Sequence, residues 1–395
     1  MTILVVGAGP AGTRCALRTA ARLPGAAVTL LGAEPALPYD RVALSRYLVG
    51  EVEQADLVTH SLADLSAAGV LYRPGTGVAS IDREERCVVS ARGERIRYDR
   101  LVLATGSRAV RLPLPGADLP GVVPWRDLAE SRAMLQAARD GGAAVVIGGG
   151  LLGLEAAAGL SARGMKVTVL HAVGWPMERQ LDSDAGALLA QRLRGRGLTL
   201  HMPAATAAIE GRERVEAVRL ADGTRIPAGL VVMAVGVRPN VDLARAAGLE
   251  VNRGIVADAA MRTSDPRILA VGECAEVEGR LIGLVAPALE QAEVAAATLA
   301  GDAACWTPRT DAAALKVSGT KVWSAGEVAP ADAEAVTLRG GESYRRLWWR
   351  GDRLVGAVLY GDTAEAGFFQ RLISESVPVA CRAEATLGES YCEAA

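Results

Sequence analysis

The sequence contains few of the residues from which metal centres and disulfide frameworks are built. It has three histidines, and none of them lies near another at the spacing of metal ligands. Its six cysteines are widely spaced, and no two of them form a CxxC pair. We therefore predict no metal site, no iron–sulfur cluster and no disulfide framework, and we interpret the thiols as buried or incidental. These residues are His60, His171 and His201, and Cys15, Cys87, Cys274, Cys305, Cys381 and Cys392.

An excess of charge of one sign and a long apolar run are also missing. The formal net charge of −2 gives no electrostatic reason to expect nucleic acid or an anionic membrane as a partner. The most apolar stretch, residues 143–162, is interrupted by glycines and by Glu155, so it predicts a strand, a turn and a helix rather than a membrane span. The N-terminus begins a strand without a charged leader or an apolar signal core. We expect a soluble, cytoplasmic protein.

A glycine-rich turn follows the first predicted strand. In "TILVVGAGPAG", Gly7 permits the tight turn, Gly9 lets the backbone approach a pyrophosphate, and Gly12 allows the helix and strand to pack closely. The free amides and positive dipole end of the helix favour the phosphates. Glu34 follows a second strand, where a carboxylate accepts hydrogen bonds from the hydroxyls of an adenosine ribose. The predicted pyrophosphate turn is Gly7, Gly9, Pro10, Ala11 and Gly12.

The same pattern occurs again about 140 residues later. In "AAVVIGGGLLGLEAAAGLSARGMKVTVLH", a strand, a GxGxxG turn and a helix are followed by a strand that ends at His171. Two such units predict two dinucleotide sites, one in each of two domains. The alternative is that one unit is a vestigial fold element, and the intact glycines argue against it. The residues of the second turn are Gly148, Gly150, Leu151, Leu152 and Gly153.

Three shorter segments also contain the ends of predicted strands, at positions where a bound dinucleotide could be contacted. "RLVLATGSR" ends a strand where the backbone must turn beside a ligand, and "GLVVMAVGVRPN" repeats this feature after the second unit. In "RILAVGECAEV", Glu273 follows a strand, and a carboxylate there can hold the ribityl hydroxyls of a flavin. The candidate residues in these segments are Ala104, Thr105, Gly106, Val235, Gly236, Gly272 and Glu273.

Taken together, these five ordered motifs resemble the flavoproteins related to glutathione reductase, over residues 1 to about 300. The resemblance implies that the first unit binds FAD and that the inserted second unit binds NADH or NADPH. "PYDRVALSRYL", "MERQLD", "AVGECAEV" and "GLVAPALEQA" are also similar to the flavin region of the assimilatory NAD(P)H-nitrite reductase large subunit. They are equally similar to the flavin electron-transfer subunit of assimilatory nitrate reductases. The chain stops at Ala395 without the iron–sulfur and siroheme regions of nitrite reductase, so we expect it to pass electrons to a separate metalloprotein.

Residues 37–51 contain no cysteine. Disulfide-reductase members of the resembling family have a redox-active cysteine pair near the flavin, and their NADH oxidase and peroxidase relatives have a single cysteine there. Here the candidate positions are Ser45 and Arg46. "PYDRVALSR" resembles instead the "PYxRPxLSK" pattern of ferredoxin and rubredoxin reductases, although Arg46 replaces the lysine. This resemblance implies that electrons leave through the flavin itself, without a thiol relay.

The same resemblance implies roles for individual side chains. Arg46 would lie near the flavin N5 and pair with Glu155 of the second glycine-turn helix, and both would be catalytic. The alternative is a surface ion pair between domains, and arginine has a different geometry from lysine. Arg41 would hold the FAD pyrophosphate, or in the alternative stabilise a turn. The other FAD contacts implied are Ser45 and Arg46, Val78 against the adenine and Pro287 at an edge of the flavin ring.

Coenzyme preference has a weaker signal. An acid at the end of the second strand favours NADH by bonding the ribose 2′-hydroxyl, whereas arginine favours the 2′-phosphate of NADPH. His171 occupies the approximate position. Arg179 could serve a phosphate, but Glu178 beside it argues for NADH. We favour NADH and leave NADPH open.

The predicted fold is α/β, with two Rossmann-like dinucleotide-binding domains and a small α+β domain at the C-terminus. Half of the residues are hydrophobic, and the length suits two or three domains. We predict that one tryptophan of the pair Trp348–Trp349 points into the core and that the other is partly exposed; the alternative is that the two rings bind a partner. We leave open whether the C-terminal domain docks the acceptor or forms a homodimer. The predicted domains are an FAD-binding domain of residues 1–110 and 240–302, an NAD(P)H-binding domain of residues 111–239, and a C-terminal domain of residues 303–395.

We predict an FAD-dependent NAD(P)H oxidoreductase that serves an iron–sulfur/molybdenum or siroheme acceptor in nitrate or nitrite assimilation. One alternative is a reductase for ferredoxin, rubredoxin or a Rieske oxygenase. A second alternative is a redox-sensing flavoprotein whose output is a conformational state. The complete set of motifs for hydride entry argues against that second alternative.

Overall fold

A computed structural model describes residues 1–308, 312–317 and 319–392 of the chain. Residues 309 and 310, which belong to the segment predicted to begin the C-terminal domain, lie outside the described residues. The chain divides into two units. The first comprises residues 1–47, 51–108 and 237–308, and the second comprises residues 48–50, 109–236 and 309–395.

Strands and helices alternate along most of the chain. Up to residue 109 they are β1 (Thr2–Val6), α1 (Pro10–Arg22), β2 (Ala27–Leu31), α2 (Leu44–Val49), α3 (Leu62–Ala67), β3 (Val70–Arg73), β4 (Val78–Asp82), β5 (Cys87–Ser90), β6 (Arg95–Arg97), β7 (Arg100–Leu103) and β8 (Ser107–Ala109). Residues 110–236 contain β9 (Val122–Pro124), α4 (Leu128–Asp140), β10 (Ala143–Ile147), α5 (Leu151–Ala162), β11 (Lys166–Leu170), α6 (Ser183–Gly195), β12 (Thr199–His201), β13 (Thr206–Gly211), β14 (Val215–Leu220), β15 (Arg225–Pro227) and β16 (Leu230–Met233).

The remaining elements follow from residue 237 onward. They are β17 (Val237–Pro239), α7 (Asp242–Ala246), β18 (Ile255–Ala257), β19 (Ile268–Ala270), β20 (Ala275–Val277), α8 (Val285–Ala300), β21 (Ala312–Val317), β22 (Thr320–Gly326), β23 (Glu334–Gly340), β24 (Ser343–Arg350), β25 (Arg353–Tyr360), α9 (Ala366–Ser374), α10 (Arg382–Leu387) and α11 (Glu389–Cys392). Two short 3-10 helices lie at Gln54–Leu57 and Gly272–Cys274.

The first unit is built on a parallel sheet of strand order β19-β7-β1-β2-β3. The central strand β1 is almost entirely apolar and buried, as expected for a strand covered on both faces. Helix α1 packs against α8, and their small residues allow the two helices to approach. The antiparallel sheet β4-β5-β6 is added to this core. The carboxyl ends of β1, β7 and β19 therefore lie side by side.

The second unit repeats this arrangement. Its parallel sheet has the order β12-β11-β10-β16-β9, so β10 lies between β11 and β16 as β1 lies between β2 and β7. An antiparallel sheet, β13-β14-β15, contributes to the same apolar core. Helix α4 begins with a capping box in which Asp127 and Glu130 each bond the other's backbone amide.

The C-terminal residues form an antiparallel sheet of order β21-β22-β25-β24-β23, grouped with the second unit. Helix α9 places Phe368, Phe369 and Leu372 in a buried apolar cluster with the sheet. The division of the chain into three domains, with the boundaries given above, stays a prediction.

The prediction for the paired tryptophans is wrong. Both Trp348 and Trp349 are buried, at 3% and 1% exposure. A register shift in the pairing of β24 with β25 lies between them. The two side chains lie on opposite faces of the sheet, with Trp349 in the apolar cluster and Trp348 beside Arg346. Trp349 joins the apolar cluster under α9, whereas the face that carries Tyr344 and Arg346 reaches the beginning of α6. Strand alternation exposes one residue only where one face of the sheet meets solvent, and here both faces are covered.

The predicted fold class is confirmed. The chain has an α/β fold with two Rossmann-like halves of parallel strands, the second inserted into the first, and a small α+β region at the C-terminus. Within the described ranges, no helix is both long enough and apolar enough to cross a membrane.

Candidate functional site

The first glycine turn has no space for side chains at two of its positions. Gly7 has a φ of 113°, and a Cβ atom there would lie 2.1 Å from the carbonyl oxygen of Ala104. A Cβ atom on Gly12 would lie 1.8 Å from the carbonyl oxygen of Gly7. A Cβ atom on Gly9 would have space, and the nearest atom would be the Arg41 Nε at 4.0 Å. The turn is therefore closed towards the sheet and open towards Arg41, as a backbone cradle for a pyrophosphate requires.

Helix α1 begins at this cradle. Pro10 occupies its first turn, and the N-cap residue Gly9 has no side chain to bond the free amides. Ala11 and Gly12 are buried in the same turn. Unbonded amides at the N-terminus of a 13-residue helix bind anions well, because the helix dipole adds to their partial positive charge.

The predicted ribose acceptor and the predicted pyrophosphate ligand lie together beside the turn. Arg41 forms an ion pair with Glu34, and the Tyr39 hydroxyl donates to the same carboxylate at 2.8 Å. The Arg41 guanidinium also lies 4.9 Å from the centre of the Tyr39 ring. Residues from one loop thus hold a carboxylate and a guanidinium next to Gly9. Both groups are about one-third exposed, so they are accessible to a ligand.

The end of strand β7 is joined to the segment that returns from the second unit. The Thr105 hydroxyl donates to the Asn240 carbonyl at 2.8 Å, and the Asn240 side-chain amide donates to the Thr105 carbonyl at 2.8 Å. The backbone amide of Asn240 also bonds the carbonyl of Gly106. Three hydrogen bonds therefore hold the Ala-Thr-Gly turn in place, and Ala104 is buried beneath it.

Glu273 is oriented by a residue of the same turn. The Ser107 hydroxyl donates to Glu273 Oε2 at 2.7 Å. The backbone before it is also fixed, because the Gly272 amide donates to the buried Gln291 Oε1 at 2.8 Å. Gly272 has a φ of 76°, which favours glycine. These contacts hold a carboxylate at the carboxyl end of the sheet, where a ribityl chain can be bound.

Helix α8 begins close to this carboxylate. A Cβ atom on Gly283 would lie 3.7 Å from Glu273 Oε1, and α8 starts two residues later. Its N-cap is Leu284, which makes no side-chain cap hydrogen bond. Val285 is 39% exposed, and Pro287 is half-buried. An apolar helix N-terminus of this kind suits the edge of a flavin ring, and the contact of Pro287 with the ring stays a prediction.

The segment at residues 37–51 carries polar and cationic side chains. Ser45 donates its hydroxyl to the Val42 carbonyl at 3.2 Å. Arg46 is exposed and forms an ion pair with Glu51 at 3.3 Å. Val78, the predicted adenine contact, begins strand β4 and is half-buried. The FAD roles of Ser45, Arg46 and Val78 stay predictions.

The described thiols are free, and three of the five are buried: Cys15, Cys87 and Cys274. Cys274 directly follows Glu273, and its thiol donates to the Val271 carbonyl at 3.3 Å. Burial raises the pKa of this thiol, so it remains protonated and is a poor nucleophile. Cys305 is exposed and Cys381 is half-buried. Among the described residues, no group of three or more histidine, cysteine, aspartate or glutamate side chains is placed to hold a metal ion.

The second glycine turn reproduces the first. Gly148 has a φ of 120°, and a Cβ atom there would lie 2.2 Å from the carbonyl oxygen of Ala234. A Cβ atom on Gly153 would lie 2.0 Å from the Gly148 oxygen, whereas Gly150 faces open space. Helix α5 starts at the turn, with Leu151 and Leu152 half-buried. Val235 and Gly236 follow strand β16; Val235 is half-buried and Gly236 is exposed.

His171 is built into this second turn. Its Nδ1 accepts a hydrogen bond from the Gly149 amide at 3.1 Å, and its Nε2 lies 2.9 Å from Glu178 Oε2. Because Nδ1 is the acceptor, the neutral ring carries its proton on Nε2 and donates it to the carboxylate. An acid is therefore held beside the turn, although it does not directly follow the strand.

Glu155 lies on helix α5, five positions after its N-cap Gly150. Burial raises the pKa of its carboxyl group to about 7. Arg46 belongs to the first unit and Glu155 to the second, and the pairing between them stays a prediction. A carboxyl group that titrates near neutral pH at a glycine-turn helix is a candidate for a functional role.

Three site residues could not be predicted from the sequence motifs: Ser107, Asn240 and Gln291. Each lies inside or next to a motif that was recognised: Ser107 follows Ala-Thr-Gly, Asn240 ends "VGVRPN", and Gln291 lies in "GLVAPALEQA". A polar residue next to a ligand-binding turn was the available signal. Its partner could not be identified, because the bonded residues are 166, 135 and 19 positions apart.

Two glycine turns on two parallel sheets define an oxidoreductase of the kind that binds two dinucleotides. The chain belongs to the pyridine nucleotide-disulphide oxidoreductase family, whose sequence profile matches residues 1–298. A second profile, the C-terminal domain of rubredoxin NAD+ reductase, matches residues 312–377. The predicted family is confirmed, and with it the predicted use of FAD and a nicotinamide coenzyme as cofactors.

Two curated relatives come from Bacillus subtilis (strain 168). The chain is 40% identical to a nitrite reductase [NAD(P)H], over 89% of this chain and 44% of that protein. It is 38% identical to an assimilatory nitrate reductase electron transfer subunit, over 94% of this chain and 48% of that protein. The chain thus spans about half the length of these relatives.

A solved structure matches nearly the whole chain. It is the ferredoxin reductase for the CYP199A2 system from Rhodopseudomonas palustris, with a TM-score of 0.88 and 32% identity. The match covers 96% of this chain and 95% of that one.

Proposed function

We propose that this protein transfers electrons from NADH or NADPH, through bound FAD and without a redox disulfide, to a separate metalloprotein in nitrate or nitrite assimilation. The acceptor would carry an iron–sulfur/molybdenum centre or a siroheme. The observation that carries this proposal is the similarity of about nine-tenths of the chain to the two Bacillus subtilis relatives. One of these is named as an electron transfer subunit. We propose a cytoplasmic setting, where NAD(P)H is available.

The first unit would hold FAD. Gly7, Gly9 and Gly12 would cradle the pyrophosphate at the start of α1, with Arg41 adding a positive charge. Glu34 would bond the adenosine ribose, and its Tyr39 contact would orient it. The closed sides of the turn and the open face at Gly9 fit this assignment.

At the other end of the cofactor, Glu273 would accept hydrogen bonds from the ribityl hydroxyls. Ser107 orients that carboxylate through the bond described above. The apolar start of α8, including Pro287, would cover one edge of the ring and exclude water from it. Bound FAD supplies the step between a two-electron donor and a single-electron acceptor, and the protein supplies position and electrostatics.

The second unit would hold the nicotinamide dinucleotide at Gly148, Gly150 and Gly153. Arg46 and Glu155 would act where the two cofactors meet, Arg46 as a fixed positive charge and Glu155 as a group able to hold a proton near neutral pH. A thiol relay has no support, because residues 37–51 lack cysteine and burial keeps Cys274 protonated.

The test is rapid mixing of the FAD-loaded protein with NADH under anaerobic conditions, followed by mixing with oxidised acceptors. We expect bleaching of the flavin absorbance, then rapid recovery with the molybdenum subunit of an assimilatory nitrate reductase or with the siroheme part of a nitrite reductase. Recovery that is fast only with ferredoxin or rubredoxin would contradict the proposed acceptor. Failure of NADH and NADPH to bleach the flavin would contradict the whole proposal.

A second candidate is a reductase for ferredoxin, rubredoxin or a Rieske oxygenase. It is favoured by the near-complete match to a ferredoxin reductase and by the rubredoxin reductase profile in the C-terminal region. Comparison of kcat/KM among these acceptors and the nitrate and nitrite reductase components separates the two candidates. Sedimentation of the protein with and without each acceptor would also show whether the protein forms a homodimer and whether it binds the acceptor.

A further inference from the structure

An acid is held at the second glycine turn by two independent contacts. The imidazole of His171 bridges the turn and the acid, since it accepts from the Gly149 amide and donates to Glu178 Oε2. The backbone of the preceding residue is attached to the same turn, because the Met177 amide donates to the Gly149 carbonyl at 2.9 Å. Met177 itself has a φ of 58°, an uncommon conformation for a residue other than glycine.

These contacts place Glu178 in a defined position. The His171 side chain is only 10% exposed, so its ring has little freedom to rotate. The Glu178 side chain is 31% exposed, so it is accessible from solvent while its Oε2 is held. Both residues and the turn belong to the second unit.

A fixed carboxylate beside a pyrophosphate turn distinguishes the two nicotinamide coenzymes. It accepts hydrogen bonds from the 2′- and 3′-hydroxyls of the adenosine ribose. It repels a 2′-phosphate, which carries between one and two negative charges near neutral pH. The neighbouring Arg179 is exposed and would have the opposite effect if it bonded the phosphate.

We propose that Glu178 makes this protein select NADH over NADPH, with His171 as the positioning residue that holds its carboxylate. The inference rests on the proposed nicotinamide site in the second unit. It assigns recognition of the adenosine ribose to an acid seven positions after His171, held there by the His171 imidazole.

The experiment measures the binding of NAD+ and NADP+ to the FAD-loaded protein by isothermal titration calorimetry, without any electron acceptor. We expect the unsubstituted protein to bind NAD+ more tightly than NADP+. Glu178→Gln should reduce this preference by about tenfold or more, because a charge-assisted hydrogen bond and a repulsion are both lost. Arg179→Ala, the neighbouring control, should leave the preference unchanged.

The positioning role of His171 is tested by substituting it both alone and together with Glu178. His171→Ala should reduce the preference in the unsubstituted background and have no further effect in the Glu178→Gln background. His171→Gln should retain most of the preference, because its amide can accept from Gly149 and donate to Glu178. This variant also keeps the test available if His171→Ala does not fold, as judged by its FAD content and thermal unfolding.

Three results would overturn the inference alone: tighter binding of NADP+ by the unsubstituted protein, an unchanged preference in Glu178→Gln, or a large change in Arg179→Ala. Absence of binding of both nucleotides to the unsubstituted protein would refute the proposed function as well. An effect of His171→Ala that is equally large with and without Glu178→Gln would remove the positioning role.

Discussion

Individual residues decide the chemistry of the second glycine turn. Glu155 lies on the helix that starts there, and burial raises the pKa of its carboxyl group to about 7 from the ordinary 4.5. Between these two pH values the folded protein keeps a proton that the unfolded chain has released. The contribution of Glu155 to the free energy of unfolding therefore falls as the pH rises from about 4.5 to about 7 and is constant above that range.

We predict that Glu155→Gln removes this pH dependence. The variant should gain up to about 3 kcal/mol in the free energy of unfolding relative to the unsubstituted protein at about pH 8, and much less at about pH 5. Urea unfolding at the two pH values measures the difference. Glu216→Gln replaces an exposed carboxylate of the same unit and is the control. Equal behaviour of the two variants would show that the Glu155 carboxyl is well solvated.

At the scale of elements, two helices of the second unit have the same type of N-cap residue but differ in what that residue contacts. Helices α4 and α6 both have 13 residues and an aspartate N-cap. Asp127 caps α4 and bonds the Glu130 amide. Asp182 caps α6, is 3% exposed, and also accepts from the Tyr344 hydroxyl of strand β24 at 2.8 Å. Arg346 of the same strand lies 3.5 Å from it. The second cap therefore joins a helix to the C-terminal sheet.

We predict a larger loss of stability from Asp182→Ala than from Asp127→Ala. The loss of a helix cap alone costs about 1 kcal/mol, which we expect for Asp127→Ala. Asp182→Ala should cost about 3 kcal/mol, because Tyr344 and the partly buried Arg346 also lose their partner. Shifts of the urea unfolding midpoint give both values. Similar losses for the two variants would mean that the contacts with β24 add nothing to the cap.

At the scale of the whole molecule, the proposed path of electrons does not require a thiol. The two described thiols that solvent can reach are Cys305, which is exposed, and Cys381, which is half-buried. No cysteine lies in residues 37–51, where related enzymes of the glutathione reductase kind have their redox-active residue.

We predict that alkylation by iodoacetamide leaves NADH-dependent reduction of ferricyanide unchanged. Mass spectrometry of the native protein should show modification of Cys305 first, because alkylation follows exposure of the thiolate. Treatment of the NADH-reduced protein is the essential arm, since a redox disulfide would open there. Loss of activity in that arm, with a newly modified buried cysteine, would contradict a path through the flavin alone.

Much of the candidate site could be predicted because its signals are local. The steric requirement for glycine at Gly7 and Gly148 is set by the strand and turn on either side, and the structure shows backbone atoms where a Cβ would lie. The prediction that one of Trp348 and Trp349 is partly exposed was also made from local signals, and it is wrong. Their burial depends on what covers each face of the sheet, and nothing in the neighbouring residues specifies that.

The sequence alone determined the two glycine turns, the acid after the second strand and the absence of cysteine from residues 37–51, because each depends on residue type and short-range spacing. Only the tertiary structure decided which distant groups meet. Ser107 reaches Glu273, Thr105 reaches Asn240, and His171 brings Glu178 to the second turn. Such contacts result from the packing of whole strands and helices. The residues next to a side chain in the sequence therefore do not indicate which distant residue it will contact.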